Sequence, residues 1–64
     1  MRMYTIRSIN IEPGKILEYK NTQQKCSEMF NMIRMLHRKP DKTVVDPPRI
    51  QLVNGYGRVI DVIV

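Results

Sequence analysis

Apolar and polar positions follow two rhythms along this chain, one of which closes it. From Arg49 to Val64, RIQLVNGYGRVIDVIV, two runs rich in valine and isoleucine flank Asn54-Gly55-Tyr56-Gly57, where glycines supply the φ > 0 positions of a tight hairpin turn. The second run is apolar except at Arg58 and Asp61, the composition of a strand covered on both faces and therefore expected at the centre of a sheet. A two- or four-residue loop would set Asp61 in the same row as Ile50 and Leu52. A three-residue loop, Gly55 to Gly57 with Gly57 left-handed, aligns Ile50 and Leu52 with Ile60, Val62 and Val64 instead. That register leaves Arg49, Gln51, Val53, Val59, Asp61 and Ile63 on the other face, where Val53, Val59 and Ile63 are too apolar to meet water without a reason.

Earlier in the chain, Met3 to Ile11 predicts a first strand, with Tyr4, Ile6 and Ser8 on one face and Thr5, Arg7 and Ile9 on the other. Its mixed character suits an edge. Glu12-Pro13-Gly14 ends it, because proline cannot donate to a ladder and Pro-Gly favours a turn. From Lys15 the spacing predicts one long helix to Lys39, stopped by Pro40. At about 100° per residue, Ile16, Tyr19, Thr22, Cys26, Met29, Phe30, Ile33, Leu36 and His37 share a broad apolar face. Met32 lies at its margin and Met35 nearly opposite, which implies a second contact for the last turns. Asp41 to Pro48 reads as a loop.

The expected fold is thus α+β, a single domain over residues 1–64 in the order β-α-β-β. A right-handed crossover with the last strand inserted between the first two gives a three-stranded, mixed sheet of order 1-3-2, with the long helix on one face. One sheet face and the edge of the first strand remain open.

Length sharpens that picture. A chain of 64 residues buries only about 60% of its unfolded surface, so it is marginal alone. A single Cys26 and a single His37 exclude an internal disulfide and leave too few ligands for a Cys/His zinc site. No metal or cofactor is expected, and association with a second copy or a protein partner is the remaining way to stabilise the fold. The free cysteine, the lack of a signal-peptide pattern and the lack of a membrane-length apolar run point to a reducing cytoplasm rather than a membrane. A net charge of +5 permits nucleic acid as a partner without requiring it.

Two local patterns carry a family resemblance. The stretch MYTIRSINIEPGKILEY, a strand running into Glu12-Pro13-Gly14-Lys15, and the hairpin Asn54-Gly55-Tyr56-Gly57-Arg58-Val59 resemble the first half of the dimeric α+β barrel proteins, among them antibiotic-biosynthesis-type monooxygenases and NIPSNAP-like proteins. The resemblance implies half of a ferredoxin-like fold and two subunits packed sheet against sheet. The family's second helix and fourth strand have no counterpart in this chain, and no catalytic position transfers onto it.

Candidate chemistry is sparse. His37, near the helix end, suits a structural place where a protonated imidazole complements the helix dipole. Cys26, in mid-stripe, reads as a small buried hydrophobe rather than a nucleophile. Asp61 reads as a partner of Arg7 or Arg49 across the sheet, with a general base in a dimer cavity as the sharper alternative. Arg34, His37, Arg38 and Lys39 gather at the helix end and are the candidate binding residues for phosphates, with Lys42 just beyond. Met35, Val53, Val59 and Ile63 are the candidate oligomer interface. Three classes follow: a small homo-oligomeric interaction or regulatory protein without catalysis, favoured because every anomaly concerns unpaired surface; a basic nucleic-acid-binding module; and an enzyme of the monooxygenase type.

Overall fold

The computed structural model describes residues 2–12, 14–38, 43 and 47–64. Two hairpins flank one helix: β1 (Tyr4–Ile9), β2 (Ile16–Asn21), α1 (Gln23–Leu36), β3 (Arg49–Val53) and β4 (Val59–Ile63). All neighbouring strands are antiparallel, and the sheet order is β2-β1-β3-β4. The α+β class with one helix on a sheet agrees with the sequence reading. The β-α-β-β order and the three-stranded 1-3-2 sheet do not, and one segment accounts for the difference.

That segment is Ile16–Asn21, expected as the first turns of the helix and found as β2. It folds back on β1 in a register running from Ile9↔Ile16 to Tyr4↔Asn21. The turn between them is local chemistry: Lys15 N–H donates to the Glu12 carbonyl at 3.0 Å and Asn10 N–H to the Lys15 carbonyl at 3.2 Å. Asn10 (φ 59°) and Gly14 (φ 77°) take the left-handed positions, which asparagine and glycine tolerate best. The helix begins only after Thr22, whose extended backbone and side-chain oxygen, accepting from Lys25 N–H at 3.3 Å, form an N-cap. It ends at Leu36, with His37 in extended conformation; Lys39 and Pro40, and most of the expected loop, lie outside the described residues.

The extra strand reassigns centre and edge. β1, expected at an edge, pairs with both β2 and β3, while β4, expected at the centre, has β3 on one side and, among the described residues, no strand on the other. The core joins Cys26 and Phe30 of α1 to Ile6, Ile50, Leu52 and Ile63 of the sheet, with Tyr4 and Ile33 packed beside them. Ile16, Tyr19, Met29 and Leu36, counted in the helical stripe, are all exposed. Two of them sit on β2, and α1 presents only a narrow buried line through Cys26 and Phe30.

The second hairpin has the expected turn and a different register. Asn54 N–H donates to the Arg58 carbonyl at 2.9 Å and Gly57 N–H to the Asn54 carbonyl at 3.1 Å, closing a loop of Gly55, Tyr56 and Gly57 with Gly57 at φ 83°. The Asn54 side-chain oxygen also accepts from the N–H groups of Tyr56 and Arg58. Beyond the turn, Val53 lies opposite Val59, but Leu52 lies opposite Asp61 and Ile50 opposite Ile63, so Ile60 is the extra residue of a bulge. A one-residue shift exchanges the faces of everything after it. Asp61 and Ile63 therefore turn toward the helix and Val62 turns away from it. Ile63, expected on the open face, is 5% exposed in the core.

Candidate interaction surface

With α1 over one face, the other face of the sheet is uncovered by any described helix. Across its middle runs a polar row: Arg7 Nε donates to Glu18 Oε2 at 3.1 Å and Arg7 Nη1 to Gln51 Oε1 at 3.4 Å. The row continues to Val62, the cross-strand partner of Gln51. Arg7 and Glu18 thus offset one another at the surface while Lys20, opposite Thr5 on the same face, adds a further cation, and the polar character stops at β4.

On β4 the exposed side chains are Val59, Ile60 and Val62, followed by Val64. An edge strand offers unpaired N–H and C=O groups to any chain that can lie beside it, and natural proteins commonly blunt such edges with charge. Here the charge is Asp61. Its Oδ2 accepts from Arg34 of α1, and its Oδ1 accepts from the N–H of Val62 at 2.9 Å. Both contacts favour the carboxylate, Arg34 more strongly, and together they hold Asp61 below the usual carboxylate range. Asp61 was expected to pair with Arg7 or Arg49 across the sheet. Arg7 instead meets Glu18, and the bulge turns Asp61 to the helix side, where Arg34 reaches it.

The structure separates the basic residues expected to act together. Arg34 lies over the sheet, bonded to Asp61 and with its guanidinium carbon 5.3 Å from the centre of the Phe30 ring. His37 is half-buried, its Nε2 enclosed and without a hydrogen-bond partner among the described residues. Arg38 is exposed, and Lys39 lies outside the described residues. The expected interface residues divide as well. Val59 is exposed on the open face and Met35, at 85%, is almost fully in solvent, whereas Val53 is 2% exposed and Ile63 is in the core.

A second feature was missed by sequence reading. Arg2 stacks over the Tyr56 ring at 4.3 Å, and with Tyr4, Gln23, Asn54 and Gly55 these residues line a shallow cleft beside the start of α1. A side chain at Gly55 would meet Arg2, so one of the two would have to shift. Its components are far apart in sequence, and no motif connects them.

Among the described residues no group of three or more His, Cys, Asp and Glu side chains could hold a metal ion, and no helix is long and apolar enough to cross a membrane. Comparison with protein-family models, curated proteins and solved structures finds no match to this chain.

Proposed function

We propose that this is a small homo-oligomeric interaction or regulatory protein, acting by assembly rather than by catalysis in a reducing compartment where Cys26 stays a thiol. The observation that carries this reading is β4: a valine- and isoleucine-rich strand at the edge of the sheet with Val59, Ile60 and Val62 exposed. Isolated apolar side chains on a surface need no explanation, but a contiguous set beside unpaired backbone groups does. Size supports the same conclusion. Among the described residues the buried apolar side chains are Ile6, Cys26, Phe30, Ile50, Leu52, Val53 and Ile63, a small core beside an ordering cost on the order of 100 kcal/mol for a chain of this length. A partner that binds only the folded state adds stability that grows with the logarithm of its concentration above the Kd.

The nucleic-acid reading draws less support, because Arg34 is committed to Asp61, Tyr4 packs against the core, Tyr19 shares the helix-side row of the sheet, and the exposed Tyr56 ring has Arg2 stacked over it. Stacking platforms for bases place aromatic rings on an open surface.

The test is the mass in solution. Light scattering across a micromolar range should give a multiple of 7.6 kDa, falling toward the monomer on dilution. A stable 7.6 kDa species throughout that range would reject assembly.

A further inference from the structure

We infer that the outer edge of β4 is where a second copy of this chain adds, antiparallel about a two-fold axis at Val62, and that Asp61 is the latch covering this edge in the free subunit. The inference rests on the assembly reading above and says which surface assembles.

The backbone alternation identifies the free groups. In an antiparallel ladder, opposed residues alternate between pairs that exchange hydrogen bonds and pairs that do not. Asn54 and Arg58 are bonded, so Val53 and Val59 are not. The bulge inserts Ile60, which makes Leu52 and Asp61 the next bonded pair and leaves Gln51 and Val62 unbonded. The N–H and C=O of Val62 therefore point away from β3. Independently, Val62 N–H is the group that donates to Asp61 Oδ1 at 2.9 Å. The carboxylate satisfies an outward donor that would otherwise be offered to the next strand.

Charge indicates that the next strand is a second copy. The chain carries +5 overall, so copies repel across most of their surfaces. Along β4 the charge is that of Asp61, already matched by Arg34, while Val59, Ile60, Val62 and Ile63 are neutral. A two-fold at Val62 sets Val62 against its own copy and Asp61 against the copy's Ile63, so the two carboxylates are not opposed. Each Val62 then donates its N–H to the other's carbonyl, the self-complementary exchange that an isologous contact requires. The result is one continuous sheet with both helices on the same side. To form it, Asp61 releases the Val62 N–H and keeps Arg34.

A chain of this length can be made by total synthesis, so the donor can be removed alone. In a chain carrying N-methyl-Val62, sedimentation equilibrium should show the dimer weakened by about ten-fold or more, from the loss of both symmetric hydrogen bonds, with the far-ultraviolet circular dichroism unchanged. Asp61→Ala, which frees the same N–H, should tighten the dimer several-fold, and Leu17→Lys on the β2 edge should leave it as it is. A monomeric wild type would remove the assembly reading and this inference together. A dimer that survives N-methylation and is lost in Leu17→Lys would keep assembly and overturn the β4 edge. An N-methylated chain that unfolds would show that Val62 N–H belongs to the internal ladder, and looser association of Asp61→Ala would remove the latch.

Discussion

Arg34 donates to the carboxylate of Asp61 across 27 positions of sequence, and this pair ties the last turns of α1 to the edge strand. It depends on the bulge at Ile60, which turns Asp61 toward the helix. Arg34 is held in place by the Phe30 ring beneath it, an arrangement that suits a planar guanidinium better than an ammonium. Both partners remain partly open to water, where such pairs contribute modestly to stability. The pair therefore sets how Asp61 is placed more than how strongly the fold holds.

The acid dependence of folding follows from that geometry. Arg34 first, then the Val62 N–H, lowers the folded-state pKa of Asp61. A lowered folded pKa contributes stability that is complete above the unfolded value, about 3.9 for an aspartate, and is lost as the pH falls through the folded value. Chemical denaturation from pH 6 downward should therefore show wild type losing stability below about pH 4, with a shallower decline in Asp61→Asn. Superimposable acid limbs would show that the pair is not formed in solution.

The turn of the second hairpin makes a sharper demand on one residue. Gly57 sits at φ 83° with open space around the missing side chain, so substitution there meets backbone strain and no clash. Gly57→Val should cost on the order of 1–2 kcal/mol or more, and Gly57→Asn distinctly less, since asparagine visits the left-handed region. Thermal melts of the two variants against wild type measure this directly. Equal melting temperatures for the valine and asparagine forms would contradict the three-residue loop.

Polyanion binding separates the remaining functional classes. With Arg34 turned onto the sheet, the helix end keeps Arg38 as an exposed described cation, without a base-stacking ring on the open sheet face. Binding to single-stranded or duplex DNA should be weak and should vanish between low and physiological salt, as for any cationic protein. A sub-micromolar complex at physiological salt, abolished by replacing Arg34, Arg38 and Lys39 with alanine, would promote the nucleic-acid module over the interaction protein.

How much of this was legible without the fold depends on the range of the interactions. The loop Gly55–Gly57, the presence of a turn after the first strand, which ends at Ile9 rather than Ile11, and the helical stripe through Cys26 and Phe30 were readable because each rests on a few adjacent residues: left-handed glycines and a 3.6-residue period. Thr22 is the N-cap of the helix, and counting it inside the stripe is what stretched the expected helix back to Lys15. The segment Ile16–Asn21 could not be settled by period alone, since Ile16 and Tyr19 fit a helix while Leu17 and Tyr19 fit a strand.

By itself, then, the sequence determined the local punctuation of this protein: where the chain turns, where the second hairpin closes, and which stretch around Phe30 is helical. Tertiary structure decided which strand lies at the centre and which at the edge, because β1 can accept two neighbours only once Ile16–Asn21 has folded back onto it. It also decided which way Asp61 faces. A bulge of one residue reverses every side chain beyond it, and its outcome here sets Ile63 in the core and Asp61 within reach of an arginine on another element. Those preferences belong to contacts between distant residues, and no window along the chain contains both partners.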